Sequence, residues 1–236
     1  MKSKYSSNYN GEKGSVFFYI LLGIVLFGTL AFTVSRGMRG NQADTMSDKQ
    51  AEIVASEILN YAQKLEHSVN KMLRKNVSES DICFSNAQIS ATNLAAYDLN
   101  SGCSNNKNKL YHPQGGGLSF TPVQDSWLES SHSGDQGYGE WMFSSSNSVL
   151  NLGGSVELIA HINHLKKSVC EKLNEKLSIS GIPDNVAAFA PTSPSQGSFN
   201  AVGQVNNIAF SGKYAGCFKN SATWSSYIFY YVLIER

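Results

Sequence analysis

An apolar run over residues 15–34 is the strongest pattern along the chain, and it contains no charged residue. A helix of this length rises about 30 Å, close to the thickness of the hydrocarbon core of a bilayer. A buried helix of a soluble protein rarely stays apolar on every face over such a length. A cleaved secretory signal is a second alternative, but residues 34–37 offer no small-x-small cleavage site. The run therefore predicts an uncleaved, single-span transmembrane helix.

A second helical pattern follows, after a segment with two glycines that weaken the helix. Ser47 and Gln50 have the spacing of a capping box, which predicts a helix start at Ser47. Apolar residues then recur at intervals of three and four as far as Lys75. They form one stripe: Val54, Ile58, Ala62, Leu65, Val69, Met72 and Leu73. The stripe predicts an amphipathic helix that packs on a globular domain. A coiled-coil stalk is the alternative, although polar residues interrupt its heptads.

Beyond residue 81, turns rich in glycine and asparagine separate shorter strand and helix patterns. A helical face extends from Leu165 to Leu177. Strands are predicted in four places: residues 141–143, 155–162, 209–218 and 224–235. The last two are expected to form a hairpin. The predicted class is α+β, with a long N-terminal helix packed on an antiparallel sheet and with one extra helix.

Charge is distributed unevenly over the 236 residues, although the formal net charge is only +1. Residues 1–39 carry five basic residues and one acidic residue, and the rest of the chain carries 14 basic and 17 acidic residues. A domain without basic excess has little to neutralise phosphates, so nucleic-acid binding is disfavoured. Three basic residues precede the apolar run and two follow it, which favours a cytoplasmic N-terminus.

The residues before the apolar run, Glu12-Lys13-Gly14-Ser15, place a glycine after a lysine and directly against it. This arrangement resembles the processing site of type IV pilins and type II secretion pseudopilins, and the resemblance covers about residues 10–75. It implies that prepilin peptidase cuts between Gly14 and Ser15, and that other pilin or pseudopilin subunits are the partners. An ordinary signal anchor with a chance Lys-Gly pair is the alternative.

One residue departs from the family pattern. The family usually has a glutamate five residues after the cut, which is thought to pair with the N-terminal ammonium of a neighbouring subunit, and here that position is Tyr19. A tyrosine cannot supply this carboxylate, so the resemblance implies a minor subunit that initiates the filament or lies at its tip. Small residues in the run are candidates for close helix–helix contacts: Gly23, Gly28, Thr29, Ala31 and Thr33.

The resemblance and the patterns together give a domain organisation. A cytoplasmic leader over 1–14 and a transmembrane helix over 15–34 precede an amphipathic helix over 35–80 and an α+β head over 81–236. The expected location is the bacterial inner membrane, with a single span, a cytoplasmic N-terminus and a periplasmic head.

Four cysteines, Cys83, Cys103, Cys170 and Cys217, all lie beyond the apolar run, and none forms a Cys-x-x-Cys pair. An even number in an exported domain indicates disulfides. Cys83–Cys103 and Cys170–Cys217 are favoured because each pair encloses a turn-rich segment. Buried free thiols are the alternative.

Motifs for catalysis are absent from the sequence: there is no Gly-x-Ser-x-Gly elbow, His-Glu-x-x-His helix or P-loop. His161 and His164 are spaced as candidate metal ligands, but no third ligand is indicated. His67 is expected to face solvent. Calcium is a second candidate, because carboxylates gather in a glycine-rich loop, and a solvated turn is the alternative. These carboxylates are Asp125, Glu129, Asp135 and Glu140.

The expected function is therefore that of a non-enzymatic minor pilin or pseudopilin in a type IV pilus or type II secretion-like filament. A stand-alone membrane-anchored exported domain that binds a protein or envelope component is one alternative. An anchored enzyme whose site is built from scattered residues is another.

Overall fold

The fold is described from a computed structural model. It describes the following residues: 18–27, 29, 46–222 and 225–236. The chain divides into two compact units between Thr45 and Met46, and each unit is treated by itself. The proposed processing site, Gly14 and Ser15, lies outside the described residues, as does the leader over 1–14.

The first unit contains helix α1, which includes residues 18–27, and all ten of these residues are exposed. The predicted transmembrane helix over 15–34 lies partly outside the described residues. Within the part of the chain that the structure describes, no helix combines the length and the apolar character needed to cross a membrane. This finding contradicts the predicted location as a single-pass protein of the bacterial inner membrane.

Helix α2 spans Asp48–Arg74 and begins at the predicted capping box. The Ser47 side chain accepts a hydrogen bond from the Gln50 backbone N–H, and the Gln50 side chain accepts one from the Ser47 backbone N–H. The predicted apolar stripe is buried except for Leu73, which is partly buried, and α2 packs against α4 (Lys167–Lys176) and strand β6 (Ser226–Ile234). A short helix α3, Ala91–Tyr97, was not predicted.

Six strands form one mixed sheet in the order β3-β5-β6-β2-β1-β4. Their bounds are β1 Met142–Val149, β2 Glu157–Leu165, β3 Asp184–Asn185, β4 Gly203–Val205, β5 Ala215–Asn220 and β6 Ser226–Ile234. The pairs β1–β2, β2–β6 and β5–β6 are antiparallel, and the last is the predicted hairpin. The two edge pairs, β1–β4 and β3–β5, are parallel. Short 3₁₀ turns lie at Glu79–Asp81, Ser101–Ser104, Asn106–Asn108, Asp125–Trp127, Ser130–His132 and Ile208–Phe210.

Asn185 links the two edges of this sheet. Its Nδ2 donates to the Gln204 carbonyl at 3.0 Å, and its Oδ1 accepts from the Asn206 N–H at 2.8 Å. The Gln204 N–H in turn donates to the Ala188 carbonyl at 2.7 Å. Because β3 and β4 are the opposite edges, these bonds nearly close the sheet into a barrel.

The predicted pilin-like architecture, a long helix packed on an antiparallel sheet, is therefore wrong. The sheet is mixed and nearly closed, and α2 starts at a capped N-terminus rather than as the second half of one long apolar helix. The sequence analysis missed β3 and β4 because they have two and three residues. Strands this short carry no period-2 pattern and are held by their partners.

Near-closure gives the sheet two buried faces. In β2, Leu158 and Ile162 belong to a core shared with the helices, while Ile159 belongs to a second core with Phe218 and Tyr230. All nine residues of β2 are consequently buried.

Two disulfides complete the second unit, in the pairing that was predicted. Cys83 is joined to Cys103, with a Cα–Cα distance of 5.0 Å, and Cys170 on α4 is joined to Cys217 on β5, at 5.4 Å. The second bond fixes α4 to the sheet. Paired cysteines are typical of proteins that fold in an oxidising environment.

Candidate functional site

The candidate site lies where the loop after Trp127 meets the end of β2. The Glu129 N–H donates to the His164 carbonyl at 2.8 Å, and the Lys166 N–H donates to the Trp127 carbonyl at 2.8 Å. Leu128 and Leu165 form an antiparallel bridge between these bonds. The loop is therefore held against β2 by its backbone, next to His164.

His164 occupies an irregular position in the strand. The β2–β6 register shifts between Ile162 and Leu165, and His164 has a left-handed φ of 59°. This conformation is uncommon for a residue with a Cβ, and it persists only where the surrounding structure holds it. A bulge of this kind re-aims a side chain that regular alternation would have placed elsewhere.

Two imidazoles and a carboxylate meet at this bulge. The His132 ring stacks on the His164 ring, with centroids 4.3 Å apart and an interplanar angle of 15°. Asp135 Oδ2 is 2.8 Å from His132 Nδ1 and 3.6 Å from His164 Nε2. One ligand atom from each of the three residues lies within 4.8 Å of the others. Glu129 Oε2 is 3.9 Å from His132 Nε2.

Burial sets the charge state of His164. The His164 side chain is 0% exposed, and the side chains of His132 and Asp135 are 22% and 38% exposed. Burial, followed by the neighbouring His132, lowers the pKa of His164 to about 4, against the opposing effect of Asp135. His164 is therefore neutral at physiological pH, and the neutral imidazole is the form that binds metal ions.

The structure does not bring His161 and His164, the candidate pair from the sequence, to one site. His161 is fully buried, and its Nε2 lies 3.1 Å from the Pro191 carbonyl, which also accepts from Asn163 Nδ2. These bonds fasten the loop before β4 over the sheet. His132 was not predicted as part of a site. Its position three residues before Asp135 was a weak sequence signal that the two side chains meet.

The carboxylates of the candidate calcium loop include residues with different roles. Glu140 accepts hydrogen bonds from the Ser90 N–H and, at 2.6 Å, from Asn93 Nδ2, so it holds the start of α3. Glu129 and Asp135 instead join the histidines.

The remaining candidate residues are placed as follows. His67 is exposed on α2, as expected, and Tyr19 is exposed on α1.

No protein-family model, curated protein or solved structure matches this chain. Its function is therefore argued from its own residues.

Proposed function

We propose that this chain is a non-enzymatic minor subunit of a type IV pilus or type II secretion-like filament. The observation that carries the proposal is α1, a helical stretch of ten consecutive uncharged residues, all of them exposed. Its aromatic side chains include Phe18 and Phe27, which are 65% and 76% exposed.

An apolar helix of this kind requires a partner. Burying one large apolar side chain is worth about 1.5–3 kcal/mol, and a helix that is apolar on every face is stable when neighbours cover all of it. Apolar helices of neighbouring subunits in a filament would cover α1 from several sides. Association of this type depends on close packing, and Gly23 offers a position of close approach.

The leader sequence gives the proposal its specific form. Lys13-Gly14 directly before the apolar run resembles a prepilin peptidase site. From this resemblance we infer that prepilin peptidase and other filament subunits are the partners. The fold of the second unit lends no support, because its mixed, nearly closed sheet differs from the architecture that the resemblance implied.

A non-enzymatic role is supported by the structural contacts of three buried polar residues of the second unit. His161 and Asn163 hold the Pro191 carbonyl, and Glu140 holds the start of α3. These groups bind the chain's own backbone and side chains.

Tyr19 favours a low-copy position in the filament. A subunit without a carboxylate at this place offers no counter-charge to the N-terminal ammonium of a neighbour. An unpaired buried charge is costly. Such a subunit therefore fits at the start or tip of the filament, where no neighbouring ammonium requires a carboxylate from it.

Processing at Gly14 is the experiment that tests the proposal. The full chain is expressed in cells with active prepilin peptidase, and the N-terminus of the purified protein is determined by mass spectrometry. We expect a start at Ser15 in the wild type and in Gly11→Val, the matched leader variant, and an intact leader in Gly14→Val. A wild-type protein that keeps Met1 in these cells contradicts the proposal.

Quantitative mass spectrometry of purified filaments tests the copy number. We expect this chain at a small fraction of the main subunit. An unprocessed chain that is absent from filaments would instead favour a stand-alone exported domain that binds a protein or envelope component. The compact, twice-disulfide-bonded second unit is the observation in favour of that second candidate.

A further inference from the structure

We propose that His132, Asp135 and His164 bind a divalent transition-metal ion. The site belongs to the second unit alone and is independent of the filament proposal. Zn²⁺ is the ion proposed for it.

The distances fit a tetrahedral ion. Imidazole nitrogens and carboxylate oxygens bind Zn²⁺ at about 2.0–2.2 Å, which places neighbouring ligand atoms about 3.3–3.6 Å apart in a tetrahedron. His164 Nε2 and Asp135 Oδ2 are 3.6 Å apart, Asp135 Oδ2 and His132 Nδ1 are 2.8 Å apart, and the ligand atoms of all three residues lie within 4.8 Å of one another. Because an imidazole binds an ion in the plane of its ring, the partly exposed His132 must rotate out of its stack on His164 when the ion binds.

The backbone preorganises the ligand residues. The Glu129 N–H donates to the carbonyl of His164, so a backbone hydrogen bond holds the loop that carries His132 and Asp135 against the third ligand residue. The bridge between Leu128 and Leu165 extends this connection. Metal sites depend on this kind of support, because ligands that are held in place lose little freedom on binding.

A simple histidine–aspartate ion pair is the competing explanation. Such a pair needs one imidazole, whereas here a second, fully buried imidazole stacks on the first and lies near the same carboxylate. The second imidazole also depends on a left-handed backbone at the bulge. An arrangement of two imidazoles around one carboxylate is better explained by a shared ion. Asp135 and His132 remain partly exposed, which leaves a path for an ion to enter.

The types of ligand atom determine which class of ion the site favours. Calcium and magnesium prefer sites made of oxygen atoms, whereas imidazole suits Zn²⁺, Ni²⁺, Cu²⁺ and Fe²⁺. Two nitrogens with one carboxylate oxygen therefore favour a transition metal over calcium. A bound ion would tie the loop after Trp127 to β2 and stabilise the second unit.

The experiment uses the full chain without an affinity tag, with its disulfides intact and with metals first removed by chelation. Zn²⁺ is titrated by calorimetry, and melting is followed with and without the ion. We expect one Zn²⁺ per chain and, at a free concentration 100 times the Kd, a rise in Tm of about 5–10 °C. Ca²⁺ should give no such rise.

Two variants avoid the fully buried histidine. His132→Ala and Asp135→Asn should each weaken Zn²⁺ binding at least 100-fold, and the matched control His67→Ala should bind as the wild type does. Because each apo variant's own Tm is measured as well, a folding defect is distinguishable from loss of the ion. Absence of Zn²⁺ binding by the wild type at 100-fold excess, or unchanged binding in both ligand variants, would overturn the proposal.

Discussion

Asn185 provides the sharpest test of the nearly closed sheet, because its side chain joins β3 at one edge to the residues around β4 at the other. The residue is fully buried, and Asn185→Ala removes both the Oδ1 acceptor of the Asn206 N–H and the Nδ2 donor to the Gln204 carbonyl. A third bond, from Nδ2 to the Ala187 carbonyl at 3.2 Å, is lost as well.

The loss of stability in Asn185→Ala can be estimated from these three hydrogen bonds. A typical hydrogen bond contributes about 0.5–1.5 kcal/mol, and a buried polar group left without a partner costs about 1–3 kcal/mol. Water will reach some of the exposed backbone groups at the sheet edges, so we expect a loss of about 2–4 kcal/mol. For a chain of this size that corresponds to a fall in Tm of about 4–16 °C.

The assay is urea and thermal unfolding of the oxidised full chain, followed by circular dichroism. Asn106→Ala is the matched control, because Asn106 is exposed. Amide hydrogen exchange should also become faster at Gln204 and Asn206 in the Asn185 variant, while β5 and β6 keep their protection.

A Tm for Asn185→Ala within 1 °C of that of Asn106→Ala, with unchanged exchange at Asn206, would refute the reasoning. The two edges would then be held together by other contacts, and Asn185 would not be the residue that closes the sheet.

Three further predictions concern other parts of the second unit. Replacing Cys170 and Cys217 together by serine should lower the free energy of unfolding by about 3–4 kcal/mol, because their bond encloses a long loop; a urea midpoint equal to that of the wild type would contradict this. Burial raises the pKa of Glu157 to about 7 from an unfolded value near 4.5, so its contribution to stability is fully present below pH 4.5 and is lost as the pH rises through 7. Glu157→Gln should therefore be more stable than the wild type at pH 8, by up to about 3 kcal/mol, and the difference should shrink towards pH 4.5 in urea unfolding. Glu140→Ala should cost about 2–4 kcal/mol and speed amide exchange in α3, since the Ser90 N–H and Asn93 Nδ2 lose their acceptor; unaltered exchange there would rule out this role.

The placement of the proposed metal ligands explains why the sequence did not indicate this site. Four carboxylates within sixteen residues made a calcium loop a candidate beside a solvated turn, since only composition is visible along a chain. The fold separates Glu140 from Glu129 and Asp135 and adds His164 from a strand about thirty residues away. A ligand set that is assembled across two elements has no spacing rule that a sequence pattern can express.

Helices α2 and α4 and strand β6 could be predicted from the sequence, because the patterns that define them are local. The capping box at Ser47 and the apolar stripe after it act within one or two turns, so they fix α2 without reference to the rest of the chain. The face of α4 and the β-branched and aromatic residues of β6 act in the same way. The even number of cysteines beyond the apolar run likewise indicated disulfides.

How these elements assemble into a nearly closed sheet could not be predicted from the sequence. Strands β3 and β4 exist because β5 and β1 pair with them in parallel, and Asn185 joins them because near-closure brings the two edges within hydrogen-bond distance. His132 meets His164 for a similar reason: a bulge in β2 turns one side chain towards a loop that the backbone holds nearby. These contacts form between residues far apart in the chain, and their energy appears only when the whole sheet is in place.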